Sequence, residues 1–267
     1  MDKQVVFSIS TQLEMEGRQL KAIKPDKNGV YKGIPLTVIG VASRNRVDYD
    51  RASTLNCITN LQGRFAANVQ SGDMEGEWGH PLIATKEDLP RLLYIDRTRV
   101  SHYFTNVYGV ETDNAIIVYG DVVPYGPFGQ YLKESFEDPK RNTSFSLRSA
   151  ARVIGQSGAN VKKQMLALVT FDAVDGPGFL HASKRFRDPN VATESLDINV
   201  TRNDYISAMS SLQSVGHESI ITDQQVLDAF GCDQVKVKDI IMTKAGKGRF
   251  VSDQGSVSIF GEMFDHK

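Results

Sequence analysis

The sequence predicts an α+β fold, with a β-rich core of about six or seven strands and a smaller number of helices around it. Three observations carry this expectation. The chain has 267 residues, 40% hydrophobic and 24% charged, the balance of a folded chain that buries a sizeable core beneath a polar surface. Short segments rich in Val, Ile, Tyr and Phe recur along it, each bounded by Gly, Pro, Asn or Asp. Helical patterning is sparse by comparison.

In chain order, residues 5–9 and 36–41 read as the first strands, each a run of β-branched and aliphatic residues. Residues 50–58 read as a helix. Strands follow at 103–108 and 115–119, a helix at 129–136, and strands at 143–149 and 165–174. Beyond Phe186 the chain turns polar and poorly periodic, which sets a boundary between a main domain, 1–190, and an accessory segment, 191–267. Within that segment Thr222-Asp223-Gln224-Gln225 has capping-box spacing ahead of Val226, Leu227 and Phe230, so a helix is expected there. The end of the chain is punctuated by glycines such as Gly246 and Gly248.

Composition excludes several function classes. Lys and Arg total 31 against 32 Asp and Glu, so no global basic field favours nucleic acid. No apolar run of about 18 residues predicts a membrane span, and the N-terminus lacks the pattern of a secretory signal, so a cytosolic protein without a membrane partner is expected. Cys57 and Cys232 stand alone and predict neither a disulfide framework nor a zinc site. The segment from Lys244 to Arg249 lacks the spacing of a phosphate loop. His80, His102, His181, His217 and His266 show no metal-protease spacing, so no metal is expected.

Three segments are left that carry chemistry. His80 directly precedes Pro81, which biases it to extended backbone, and a rigidly presented imidazole can act as a general base. Strand alternation over 143–149 puts Phe145 and Leu147 on one face and Ser144, Ser146 and Arg148 on the other. Asp172 interrupts an apolar strand, where an unpartnered acid is costly and an imidazolium would be a fitting partner. Asp175, in Asp175-Gly176-Pro177-Gly178, has the plainer explanation of turn chemistry. Singly, each has an ordinary alternative: a loop histidine, a solvated strand face, a paired structural acid.

In order, these residues resemble the prohead core proteases of tailed bacteriophages, serine peptidases that share a fold with herpesvirus assemblin. The resemblance spans about residues 55–182 and rests on Asn60-Leu61-Gln62-Gly63-Arg64-Phe65, Gly76-Glu77-Trp78-Gly79-His80-Pro81, Arg99-Val100-Ser101-His102, Phe145-Ser146-Leu147-Arg148-Ser149 and Asp172-Ala173-Val174-Asp175-Gly176-Pro177. Trp78, Ser149 and Gly178 depart from the family pattern without removing a reactive group.

The resemblance implies an assemblin-like, β-barrel-like core. It also implies a serine endopeptidase with Ser146 as nucleophile, His80 as general base and Asp172 as orienting acid, working without metal or cofactor. Ser144 and His102 are the second choices for nucleophile and base. Arg148 is expected to stabilise the oxyanion or bind an acidic substrate side chain, with Arg97 and Arg99 as other candidates for the latter. Implied substrates are phage scaffold and major capsid proteins, cut after Glu inside the assembling prohead in the host cytoplasm, and a homodimer is left open. Glu194 and Glu218 fit that cleavage rule, so a zymogen that removes its own C-terminal segment is expected. The rival readings are a non-enzymatic scaffold or capsid-associated protein on the same fold, and an unrelated β-rich hydrolase.

Overall fold

The computed structural model describes residues 5–10, 22–40, 47–83, 85–112, 115–141, 143–158, 160–174, 196–215 and 224–230. Its strands are β1 (Val5–Ser10), β2 (Tyr31–Ile39), β3 (Val47–Tyr49), β4 (Glu75–Glu77), β5 (Val100–Glu111), β6 (Ile116–Pro124), β7 (Ser144–Ser157), β8 (Asn160–Val174) and β9 (Leu196–Val200). The helices are α1 (Arg51–Thr59), α2 (Arg64–Ser71), α3 (Leu89–Leu92), α4 (Gly129–Glu137), α5 (Arg202–Ser214) and α6 (Gln224–Ala229). Each expected strand has its counterpart, although Val41 lies outside the described residues, as do Thr222 and Asp223 ahead of α6. The short strands β3, β4 and β9 and the helices α2, α3 and α5 are additions to the sequence-based expectation.

The mixed α+β character holds, but the described strands do not close a barrel. They form a five-stranded sheet ordered β3-β8-β7-β1-β9 and a four-stranded sheet ordered β2-β6-β5-β4. The reason lies in pairing: β7 takes β1 as its second neighbour, and β1 takes β9, so the first sheet runs outward instead of returning to β2. The sheets approach each other at one corner, where Trp78 bridges Ala173 in parallel.

One core cluster includes Leu36, Phe104, Val118, Phe145, Leu147 and Phe171, drawn from both sheets. A second includes Val5, Ala150 and Val169 of the five-stranded sheet with Leu89, Leu92, Tyr205, Leu212 and Val226 of the helices. Covered on both faces, β8 is buried continuously from Met165 to Val174, which is why it reads as a largely apolar run in which Asp172 stands out. The described part of the C-terminal segment belongs to this arrangement. β9 pairs antiparallel with β1, and α5, capped by Thr201 and Asp204, lies against α3. Cys57 is buried, while Cys232 lies outside the described residues. Among the described residues no helix is long and apolar enough to cross a membrane.

Candidate active site

The site is built where β4 meets the end of β8. β4 pairs with β5, and the chain beyond it is pinned twice: Trp78 N–H donates to the Arg99 carbonyl at 2.9 Å, and Gly79 N–H donates to the Ala173 carbonyl at 2.7 Å. Gly79 has φ +76°, a left-handed conformation that favours glycine, and a side chain there would also meet the Arg99 guanidinium. This turn delivers His80 over β8. Its Nδ1 lies 3.2 Å from Asp172 Oδ2, with His80 24% exposed and Asp172 fully buried. With the proton on Nδ1, that nitrogen donates to the carboxylate and Nε2 keeps its lone pair.

Asp172 is held from several sides. Arg148 Nε donates to Oδ2 at 3.0 Å and Nη2 to Oδ1 at 2.7 Å, and the Glu77 backbone N–H donates to Oδ1 at 3.2 Å. Burial alone would raise the Asp172 carboxyl. The Arg148 charge and the hydrogen bond from His80 outweigh it and hold the group well below the ordinary carboxylate range. The acid that interrupts an apolar strand is therefore partnered, and one partner is the imidazole.

Arg148 departs from its expected role. It is 1% exposed, and its five donors have acceptors inside the protein. Besides Asp172, Nη2 reaches Glu77 Oε1 at 3.1 Å, and Nη1 reaches the carbonyls of Tyr94 at 3.0 Å and Arg91 at 3.5 Å. No donor is left for an oxyanion or a substrate carboxylate; the guanidinium aligns Asp172 instead. Burial would lower its proton affinity, but Asp172 and Glu77 reverse this and raise it. Of the other arginines considered, Arg99 is 42% exposed and spends Nη2 on the Trp78 carbonyl at 2.7 Å.

Ser146 pairs directly with Asp172 in the β7–β8 register, and opposed residues of an antiparallel pair point to the same face. Its Oγ is buried and makes no hydrogen bond with any described group, His80 included. The same holds for Ser144 and Ser149. The face carrying Ser144, Ser146 and Arg148 is thus interior, not solvated. The structure brings His80, Asp172 and Arg148 together and sets Ser146 opposite Asp172 without joining it to the imidazole.

His102, the second-choice base, is a different kind of residue. It is fully buried, its Nε2 donates to the Phe171 carbonyl at 3.1 Å, and its Nδ1 accepts from the Ser101 hydroxyl at 2.8 Å. Burial pushes it down to about 4 against the opposing pull of Asp172 and Phe171, so it is neutral and both nitrogens are occupied. Sequence reasoning missed Glu77 and Arg91. Glu77 is fully buried and takes Arg91 Nη1 at 3.0 Å, a close contact from Arg91 Nη2, and the Asp96 N–H at 3.0 Å. The available signal was the one used for Asp172, an acid inside a strand, but a three-residue strand offers no apolar background against which an acid stands out. Among the described residues no group of three His, Cys, Asp or Glu side chains is arranged to hold a metal ion. Asp175 lies outside the described residues.

Residues 10–229 match the family model of the Peptidase S80 family. The capsid maturation protease of Pseudomonas phage phiKZ is 27% identical over 178 residues, which are 62% of this chain and 64% of that protein. The chain thus matches a little under two-thirds of that relative's length. Among solved structures, the bacteriophage T4 capsid assembly protease, gp21, aligns with TM-score 0.44 and 15% identity, covering 66% of this chain and 100% of that one.

Proposed function

This chain belongs to the Peptidase S80 family, and we propose that it is a serine endopeptidase of phage capsid maturation in which Ser146, His80 and Asp172 carry the reaction. The observation that carries this reading is the His80–Asp172 pair, aligned by a buried arginine, with a serine directly across the strand from the acid. Asp172 fixes the Nδ1–H tautomer and faces the imidazole with a charge that is fully buried. His80 Nε2 takes the Ser146 proton as Oγ attacks the peptide carbonyl carbon. The tetrahedral intermediate collapses, the protonated imidazole returns its proton to the leaving amine, and water, activated by the same nitrogen, hydrolyses the acyl-serine. Ser146 Oγ has no hydrogen bond to give up, so turning it toward Nε2 breaks no existing partner.

The substrates are scaffold and major capsid proteins of the assembling prohead, in the cytoplasm of the infected host, cut after Glu. The core is a variant of the assemblin type. With Arg148 fully engaged, Arg99 is the cation for the substrate Glu, since its half-exposed guanidinium is tethered to the loop that carries His80. Arg99→Gln is then expected to slow cleavage after Glu by about tenfold and to leave cleavage after Gln unchanged, as read from kcat/KM on paired peptides. The same preference applies to the chain's own Glu194 and Glu218, which lie outside the described residues. A cut after Glu194 would put β9, α5 and α6 on the released fragment, still paired to β1.

The test is intact mass over time for the wild type beside Ser146→Ala. Appearance of a chain ending at Glu194 or Glu218, with its complementary C-terminal fragment, in the wild type alone supports the peptidase and its nucleophile. Identical clipping of both proteins removes Ser146 from the mechanism. A wild type that stays whole and takes up no serine-directed label favours a non-enzymatic capsid-associated protein, the reading in line with the buried Ser146 hydroxyl.

A further inference from the structure

Glu77 belongs to no expected role, yet it touches both Asp172 and the arginine that holds it. Its backbone N–H binds Asp172 Oδ1 at 3.2 Å, and its side chain takes Arg148 Nη2 at 3.1 Å while Arg148 grips the same Asp172 at two points. On its far side the carboxylate is clamped by both Arg91 nitrogens and the Asp96 N–H. Glu77, Arg148 and Asp172 are all fully or almost fully buried, where a charge without a counter-charge is expensive.

The charges set out the logic. Two guanidinium groups, Arg148 and Arg91, face two carboxylates, Asp172 and Glu77. If Glu77 were neutral, Arg91 would lose its buried counter-charge and Arg148 would keep Asp172 as its one carboxylate partner among the described residues, in competition with the imidazole. Among the described residues, the other charged or titratable groups near the pair include Asp96, 3.9 Å from Arg91, Arg99, 3.9 Å from Glu77, and the neutral His102 on the other side of β8.

We infer that Glu77 is a positioning residue of the site: it neutralises Arg91 and orients Arg148, so that the Asp172 charge is left to act on His80. This rests on the reading of His80 as the base, and the test separates the two.

The variants are Glu77→Gln, Arg91→Gln and the double substitution. Two readouts are used: the pH profile of kcat/KM on a Glu-containing peptide, and an NMR titration of the His80 imidazole in a Ser146→Ala background, which needs no turnover. Losing the Glu77 charge is expected to move the acid limb and the imidazole midpoint down by on the order of one pH unit. Losing the Arg91 charge is expected to move both up, and the double variant to return close to wild type. A purely structural role would lower stability in all three without opposite shifts. Midpoints that stay put, or that move the same way in both single variants, overturn the inference. Should Glu77→Gln not fold, Glu77→Asp keeps the charge one methylene back. It is expected to hold the midpoint and KM while lowering kcat, and a wild-type kcat overturns the positioning role. Opposite shifts in the titration, together with unchanged peptidase activity of His80→Gln, would sustain the electrostatic role of Glu77 and refute the reading of His80 as the base instead.

Discussion

Two histidines approach adjacent residues of β8, and the difference between their settings explains why one is suited to catalysis and the other is not. His80 meets the Asp172 side chain, on one face of the strand; His102 meets the Phe171 carbonyl, against the other. His80 comes from a loop turned by Gly79 and keeps an edge to solvent. His102 comes from β5 and packs edge-on against Phe104 at 4.8 Å and Phe145 at 5.2 Å. A side chain at Gly76 would collide with its ring and with the Phe171 carbonyl, so that position is held open for it. One imidazole gains a buried counter-charge and keeps a nitrogen that no described group binds. The other has both nitrogens satisfied and is kept neutral by burial. A histidine's role here follows from the partner across the strand, not from the residue type.

Removing the counter-charge should have the largest effect. Asp172→Asn keeps the shape but removes the charge that supports the imidazolium and the acceptor that fixes the Nδ1–H tautomer. A fall in kcat on the order of 10⁴-fold is expected, measured by peptide hydrolysis at neutral pH. Activity within tenfold of wild type would dissolve the contrast between the two histidines, because His80 would then work without Asp172.

Next comes the residue that holds the acid. Arg148→Met removes the guanidinium and leaves two buried carboxylates, Asp172 and Glu77, facing each other without their shared cation. Breaking a buried pair from one side costs about 3–5 kcal/mol, so the urea midpoint should fall well below wild type. Depressed carboxyls stabilise the fold above their unfolded pKa, near 4, and that contribution is lost as the pH falls through the native value. The variant should therefore also lose the part of its acid sensitivity that belongs to Asp172.

How much of this was legible follows from what each residue is set against. The strand β2 and the inner halves of β7 and β8 carry apolar residues because they are covered, and β6 alternates buried with part-buried positions, so patterning found them; β5, exposed over most of its outer half, was found by its β-branched and aromatic residues. The outer arms of β7 and β8 carry Arg152, Lys162 and Gln164 and gave no such signal, and β3, β4 and β9 are too short to show a period. Asp172 stood out as an acid in an apolar run. Arg148 was placed on the correct strand face but given the wrong partner, because Glu77 lies 71 residues away in sequence and Tyr94 54. The barrel expectation failed for a similar reason: whether β7 pairs with β1 or with a strand of the second sheet is a long-range choice that local pattern does not encode. Nothing in the local sequence distinguishes a histidine before Pro81 from one after Ser101 by what lies across β8.

The smallest effect is also the most specific to His102. Its folded value of about 4 lies below the ordinary histidine value of 6.5, so the unfolded chain takes up a proton first as the pH falls. The sign is therefore fixed. This contribution to stability is intact above about pH 6.5 and is lost progressively down to about pH 4, an overall loss of about 3 kcal/mol. That window lies above the one in which Asp172 acts, so the two are separable by pH. His102→Gln keeps an N–H that can reach the Phe171 carbonyl but cannot titrate. Its urea midpoint should start below wild type at pH 7 because the packing against Phe104 and Phe145 is disturbed, then decline less between pH 6.5 and 4.5. Equal declines in the two proteins would mean that His102 is protonated inside the fold as readily as outside it, and the contrast with His80 would lose its physical basis.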